Sequence, residues 1–447
     1  MKALEEAAVR WPDRPFLKSA DQTLSFRDTL SLVQSQHPRT AQSTLSDFVR
    51  VAIEPEASVS GILRLLAHWR TGVCTALLNP RWPSGLKQAA AAQTGCVLEM
   101  GASGPPVSFR GSGAPATIVF TSGSSGSPKA AVHSLNNHLA NAIASNGNIR
   151  VLPGDAWLLS LPLYHVSGLG ILFRCLAGGA CVVLPGDAAL GEAIHRFAVT
   201  HVSMVSTQLH RMLQKSEDLS ALRSLKAILL GGSAIPRSTI EMAHEHGLPL
   251  FKTYGMTETA SQIATTRPGA TIADLLSGAP PIVPGSVRLT GEGEIQVRGE
   301  TLFLGYLNHD EIVLPMDAEG WFSTGDLGEL DDQGRLMVTG RKDNMFISGG
   351  ENILPEEIEQ CLMRIPGIVQ AFVVPVQDEE YGQRPVAFIE TDGVIEADVW
   401  KAQLREWLPP YKVPLRFEAL PTNPTGLKVS RADLQTLADR MRSGSTG

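Results

Sequence analysis

Lys129 closes the stretch Thr121-Ser122-Gly123-Ser124-Ser125-Gly126-Ser127-Pro128-Lys129, whose residue types suit the holding of phosphates. Serine and threonine hydroxyls supply donors, and Gly123 and Gly126 let backbone N–H groups turn toward one anion. Lys129 adds a point charge for the outer phosphates. The apolar run Thr117-Ile118-Val119-Phe120 comes directly before, so a strand feeds the loop, and a helix is predicted behind it over 133–144. The usual P-loop is excluded, because no Gly-Lys-Ser/Thr occurs and Lys129 is followed by Ala130-Ala131. A flexible Gly/Ser linker is the bland alternative, and regular elements on both sides argue against it. The loop reads as a nucleotide site.

More candidate chemistry follows along the chain. Tyr254-Gly255-Met256-Thr257-Glu258 puts an aromatic ring, a hydroxyl and a carboxylate just past a predicted strand. The ring can stack on a base, and Glu258 beside a triphosphate can hold Mg²⁺, a hard ion that prefers oxygen. Trp321-Phe322-Ser323-Thr324-Gly325-Asp326 ends in an acid able to accept two hydroxyls of a ribose. Gly340-Arg341-Lys342-Asp343 offers a guanidinium for phosphate or ribose, and Ser348-Gly349-Gly350-Glu351-Asn352 a turn open to a ligand's chain. Gly426-Leu427-Lys428-Val429-Ser430-Arg431 sets an isolated lysine in a Pro/Asn/Gly-rich loop. Singly each has a plainer reading: Asp326 a turn residue, Arg341 a surface ion pair, Lys428 a solvated side chain, Glu258 a helix cap. Their joint order carries the weight.

These residues need a scaffold, and 447 residues exceed one usual core, so two or three domains are expected. From about 115 to 260, apolar runs such as Ala180-Cys181-Val182-Val183-Leu184 and Ala227-Ile228-Leu229-Leu230 alternate with helix-like segments over 190–198 and 237–246. That alternation predicts a layered α/β core with parallel strands. The phosphate loop, Gly231-Gly232 and Tyr254-Gly255 each follow a strand end, so three loops at one sheet edge are expected to line one pocket. Val287-Arg288-Leu289 and Glu294-Ile295-Gln296-Val297-Arg298 flank a Gly-Glu-Gly turn and predict a hairpin in a β-rich subdomain. Beyond Arg341 the pattern is that of a small α+β unit.

Composition restricts the partners. A net charge of −7 without a long basic block argues against nucleic acid as a ligand. The five cysteines are scattered with no C-x-x-C pair, which suits reduced, buried thiols. No run of eighteen apolar residues occurs, and Met1-Lys2-Ala3-Leu4-Glu5-Glu6 carries no apolar leader core. Membrane insertion is therefore not expected, and a cytoplasmic location is. The residues leave the oligomeric state open, a homodimer included.

Taken in order, the motifs resemble those of the adenylate-forming superfamily of acyl-CoA synthetases, adenylation domains and luciferases, across nearly the whole chain. Trp11-Pro12-Asp13-Arg14-Pro15 and Leu24-Ser25-Phe26-Arg27-Asp28 are similar to that family's opening. The resemblance implies an N-terminal ATP- and acyl-binding domain over 1–342 and a mobile C-terminal domain over 343–447 that rotates about Asp343. It implies ATP, Mg²⁺ and coenzyme A, with a carboxylate first converted to an acyl-adenylate and a thiol then displacing AMP. Lys129, Thr257, Glu258 and Lys428 would be the catalytic set. Thr121, Ser122, Gly123, Ser124, Ser125, Gly126, Gly232, Tyr254, Gly255, Asp326 and Arg341 would line the nucleotide, with Gly349 and Gly350 at the coenzyme A tunnel.

Within that superfamily, Leu427 between Gly426 and Lys428 departs from the usual adjacent Gly-Lys. This variant, with Leu161-Pro162-Leu163-Tyr164-His165-Val166-Ser167-Gly168 and Val205-Ser206-Thr207-Gln208-Leu209, resembles the o-succinylbenzoate–CoA ligases of menaquinone biosynthesis. The insertion makes Lys412 a rival for the role of Lys428, although its Pro-Tyr-Lys-Val-Pro setting reads as structural. A substrate with two carboxylates needs one recognised while the other is activated. Arg174, in the apolar stretch Gly168-Leu169-Gly170-Ile171-Leu172-Phe173-Arg174, is a candidate cation for an acyl pocket that His165 and Ser167 also line. A surface-reaching or internally paired Arg174 is the alternative. Another aryl- or acyl-CoA ligase, or an adenylation enzyme loading a carrier protein, is the competing reading of the function.

Overall fold

The computed structural model describes residues 2–36, 47–96, 107–108, 113–121, 128–308, 311–421 and 430–443. Its largest sheet has eight strands. Their spatial order is Ser261–Thr265, Leu250–Met256, Ala227–Leu230, His201–Met204, Ala156–Leu158, Cys181–Val183, Pro15–Lys18 and Thr23–Ser25. The inner six run parallel, and each edge strand is antiparallel to its neighbour. All four residues of Ala227–Leu230 are buried, as expected of a strand covered on both faces.

A second sheet of six strands runs in the order Glu311–Val313, Gly305–Asn308, Lys129–Ser134, Pro115–Thr121, Cys74–Leu77 and Arg50–Ile53. One apolar core joins the two sheets through the helices Val59–Arg70, Leu135–Ile149 and Val166–Gly178. Val119 and Leu77 come from the smaller sheet, Trp157 and Leu229 from the larger, and Phe173 and Trp69 from the helices between. The sandwiched helix Val166–Gly178 is apolar nearly all round, which is what two covering sheets require.

The β-rich subdomain is a four-stranded antiparallel sheet, Val287–Leu289, Glu294–Val297, Phe322–Leu330 and Leu336–Arg341. After it come the hairpin Phe346–Ser348/Glu351–Ile353 and a three-stranded sheet, Ile368–Asp378, Gly382–Thr391 and Phe417–Ala419. Helices Pro355–Leu362, Ala397–Trp407 and Arg431–Ser443 accompany them. The two apolar clusters of this region draw only on residues from Phe346 onward, so it holds a core of its own. Among the described residues no helix is long and apolar enough to cross a membrane, and the five cysteines are free and buried.

Two expectations are corrected. No helix begins at His133. Residues Lys129–Ser134 form a strand paired on one side with Pro115–Thr121 and on the other with Gly305–Asn308, and the helix is Leu135–Ile149. Two ladders carry the strand through His133 and Ser134, and Ser134 with Asn137 closes a capping box that sets the true start of the helix. Nor do three loops share one sheet edge. The phosphate loop belongs to the six-stranded sheet, whereas Gly231-Gly232 follows a strand of the eight-stranded one and Tyr254-Gly255 lies inside the strand Leu250–Met256.

The core also carries titratable groups. His133 and His138 are buried with stacked rings 5.0 Å apart, and His201 is buried against Trp157. Burial lowers His133 and His201 to about 4 and takes His138 well below the usual value. Unfolded, all three take up protons near pH 6.5, where the folded protein still excludes them. The unfolded state therefore gains protons as the pH falls from about 6.5 toward 4, and stability falls with it. Scanning calorimetry should show Tm dropping steadily across that window, with a shallower drop for His138→Gln. A flat profile would refute the assignment.

Candidate active site

The residues Ser122, Gly123, Ser124, Ser125 and Gly126 of the phosphate loop lie outside the described residues, but both mouths of the loop are placed. Thr121 and Lys129 are opposite partners at the open end of the hairpin formed by their two strands. Lys129 is exposed, and its Nζ sits 5.4 Å from the centre of the Tyr306 ring. The Tyr306 hydroxyl donates to Glu258 Oε1 at 2.5 Å. Glu258 is in the short 3₁₀ turn Thr257–Thr259, which His133 ties to the smaller sheet by donating Nε2–H to the Thr257 carbonyl at 2.7 Å. Lys129, Thr257 and Glu258 therefore meet at the seam between the sheets. Glu258 is buried. Among the described residues no group of three acidic, histidine or cysteine ligands assembles there, which fits Mg²⁺ arriving with phosphates and taking one carboxylate.

The turn continues into strained backbone. Ala260 and Ser261 have φ of 58° and 151°, values that non-glycine residues seldom adopt, and such strain is held where the surroundings over-determine it. Its effect is to aim Ser261 at Arg174, whose Nη2 donates to Ser261 Oγ at 3.0 Å. Arg174 is 1% exposed, lies 5.3 Å from the Trp157 ring, and has no carboxylate partner among the described residues. Neither of the plainer readings, surface reach or an internal acid, describes it. Burial lowers its pKa to about 10. The guanidinium folds back along its own helix over Gly170, where an added Cβ would come within 3.0 Å of Nη2. It thus points toward the helix start, where His165 is the N-cap and Ser167 lies in the first turn, both half-buried.

A second cluster sits on the β-rich sheet. Asp326 and Arg341 are opposite partners on adjacent strands, with Arg341 Nη1 2.8 Å from Asp326 Oδ1. The Tyr254 hydroxyl donates to Asp326 Oδ2 at 2.5 Å. Burial, and then the Asp326 charge, push the Tyr254 phenol well up, so it stays a donor. Asp326 and Arg341 are the pair expected at a ribose and its phosphate, and Tyr254, whose ring is expected at the base, is tied to them through its hydroxyl. Gly255 admits no side chain, because a Cβ would come within 1.8 Å of the Ser261 carbonyl. Gly232 is exposed with φ of 87°, a conformation that favours glycine.

The remaining candidates belong to the C-terminal region. Asp343 is in the 3₁₀ turn Lys342–Asn344, 4.0 Å from Arg341 Nη2. Asn344 Nδ2 donates to Glu356 Oε1 at 2.5 Å, and Arg431 Nη2 donates to the same oxygen at 3.1 Å. Arg431 also holds both oxygens of Glu359, at 2.6 and 2.8 Å, and the Val373 carbonyl at 2.8 Å. Lys428 lies outside the described residues. Its rival Lys412 is committed to Glu357 Oε2 at 2.5 Å, as a structural lysine would be. Gly349 and Gly350 have φ of 58° and 88° in their hairpin turn, and Gly349 N–H donates to the Tyr381 carbonyl at 2.9 Å. The two regions also touch where His210 Nε2 meets Asp392 at 3.1 Å and Arg211 meets Glu390 at 3.5 Å.

Tyr306, Ser261 and His133 escaped the sequence reading. His133 had one available signal, since it is four residues along the same strand as Lys129 and so on the same face.

The signatures of the AMP-binding enzyme family and of its C-terminal domain match residues 86–307 and 357–426. The chain belongs to the AMP-binding enzyme family. It is 39% identical over 335 residues to the 2-succinylbenzoate–CoA ligase of Escherichia coli, covering 73% of this chain and 70% of the relative. Two Bacillus subtilis o-succinylbenzoate CoA synthetase structures, each 28% identical, are similar in fold. The one with ATP and magnesium has a TM-score of 0.83 and covers 97% of this chain and 99% of the other. The one with the acyl-adenylate intermediate OSB-AMP has 0.82, with 97% of each covered.

Proposed function

We infer that this protein is an ATP-dependent o-succinylbenzoate–CoA ligase, an AMP-forming acid–thiol ligase of menaquinone biosynthesis. The observation that carries the substrate is the buried guanidinium of Arg174, with no acid beside it among the described residues. The succinyl carboxylate attacks the α-phosphorus of ATP, pyrophosphate leaves, and the thiol of coenzyme A then displaces AMP. In our reading Lys129 and the loop N–H groups neutralise the phosphates, and Lys428 reduces repulsion between the two anions that must meet. Bound with the nucleotide, Mg²⁺ supplies further charge neutralisation, with Glu258 as its carboxylate. Tyr254, Gly232 and Gly255 flank the base, while Asp326 and Arg341 take the ribose and phosphate. Arg174, Ser167 and His165 line the acyl pocket, where Arg174 reads the ring carboxylate in a water-poor setting. The reading places the enzyme in the cytoplasm.

A panel of carboxylic acids assayed for ATP- and CoA-dependent AMP release tests the substrate. o-Succinylbenzoate is expected to be preferred by at least about a hundredfold over an analogue lacking the ring carboxylate, because a buried guanidinium left without its anion rejects the analogue. Equal rates would point to a general aryl-CoA ligase.

We propose that the small domain over 343–447 turns about Asp343 between the two half-reactions, exchanging Lys428 for the Gly349–Gly350 turn. The separate cores and the few charged contacts between the regions support that boundary. Asp343→Pro, which fixes φ near −65°, should slow adenylation and thioesterification by different factors. Equal slowing would remove Asp343 as the hinge.

A further inference from the structure

We propose that Tyr306 is a positioning residue that holds Glu258 and Lys129 as a pair about the nucleotide phosphates, and that its hydroxyl sets the divalent-cation requirement of adenylation. The proposal rests on reading Glu258 as the carboxylate that meets Mg²⁺.

Tyr306 lies on Gly305–Asn308, opposite Ala131 of the strand that begins at Lys129. The segment it belongs to grips Glu258 at both ends. Phe303 N–H donates to the Glu258 carbonyl at 2.7 Å, and the Tyr306 hydroxyl donates to its carboxylate at 2.5 Å. An O–H···O⁻ bond of that length belongs to the strong, charge-assisted class. Only Oε1 is engaged among the described residues, so the phenol turns a free carboxylate into one with a single oxygen to offer. Mg²⁺ demands near-octahedral geometry and usually takes one or two carboxylates beside phosphates and water, so this orientation suits it.

The other face of the interaction concerns Lys129. Its ammonium is on an exposed, rotamer-rich side chain, and the Tyr306 ring 5.4 Å away gives it a preferred seat. The ring is fixed in turn by an edge-on contact with Phe303 at 4.8 Å. One side chain thus positions a cation through its ring and an anion through its hydroxyl, on opposite sides of the seam where the two sheets meet.

Tyr306→Phe separates the two effects, since it keeps the ring and deletes the hydroxyl. The Mg²⁺ concentration for half-maximal adenylation should rise about tenfold, as loss of a partner to a metal-binding carboxylate does. KM for o-succinylbenzoate and thioester formation from a presynthesised acyl-adenylate should stay within about twofold, since the phenol touches neither acid nor thiol. Calorimetric titration without acid should show ATP binding weakened in the presence of Mg²⁺, with AMP binding unchanged. Tyr306→Leu, which removes the ring as well, should add a further rise in KM for ATP. Circular dichroism of the free protein recognises a collapsed variant, so AMP and ATP binding are compared only in a folded one. Unchanged Mg²⁺ dependence in Tyr306→Phe, or AMP and ATP binding weakened alike, overturns the proposal. Glu258→Gln is the control. If it leaves Mg²⁺ dependence unaltered, the metal reading of Glu258 fails. If it shifts that dependence and Tyr306→Phe does not, only the role of Tyr306 falls.

Discussion

Arg174→Met is expected to give a more stable protein and a much poorer enzyme. Arg174 is 1% exposed, has no acid beside it among the described residues, and leaves its Nε without a hydrogen-bond partner. Burying such a cation costs free energy, and replacing buried charge by an apolar chain of similar length is often neutral or stabilising by about 1–4 kcal/mol. In the reading proposed above, an incoming carboxylate completes the pair and offsets this cost. Loss of that charge-assisted contact should raise KM for o-succinylbenzoate and lower kcat/KM roughly ten- to a hundredfold, with KM for ATP nearly unchanged. Arg174→Lys should recover only part, lacking the planar two-pronged donor set. Arg174→Ala should lose the same activity without the gain in stability, because it leaves a cavity beside Trp157 and Gly170. Steady-state kinetics with an analogue lacking the ring carboxylate completes the test, since the methionine variant should barely distinguish it from o-succinylbenzoate. A variant that is both destabilised and impaired toward ATP would make Arg174 structural.

The largest single loss is expected from Lys428→Ala. Removing a cation aimed at charge that develops in the transition state typically lowers a rate about a hundred- to a thousandfold. That loss should fall on acyl-adenylate formation alone. Thioester formation from a presynthesised acyl-adenylate should stay within a factor of a few, because our proposed rotation has by then removed the lysine. Lys412→Ala supplies the contrast: with Lys412 bound to Glu357 at 2.5 Å, its removal should cost stability and spare the chemistry. Equal losses in both half-reactions would sink the role of Lys428, and a selective loss in Lys412→Ala would transfer it.

Much of the architecture was legible because buried parallel strands announce themselves. Ala227–Leu230 is found at the bounds its apolar run predicted, and the helix predicted over 237–246 forms as Arg237–Glu245. The hairpin around the Gly-Glu-Gly turn forms as expected. The strand Lys129–Ser134 was not legible in full: one ladder closes a local hairpin with Pro115–Thr121, but the other comes from Gly305–Asn308, far along the chain, and no local pattern encodes that partner. The same reason hides part of the site. Tyr254 could be listed for the base, and Asp326 and Arg341 for the ribose and phosphate, from their motifs, but their mutual contacts depend on strand register. Tyr306 and Ser261 sit in no motif that the residue types suggest: the packing of one sheet on the other brings Tyr306 to Glu258, and the packing of the helix Val166–Gly178 on the edge strand Ser261–Thr265 brings Ser261 to Arg174.

One carboxylate oxygen, Oε1 of Glu356, receives both Asn344, next to the hinge candidate, and Arg431, three residues past Lys428. Arg431 is further clamped by Glu359 and by the Val373 carbonyl. In mechanical language the pivot and the root of the lysine-bearing arm are keyed to the same shaft, the helix Pro355–Leu362. A turn at Asp343 would then be delivered to residue 430 without backlash.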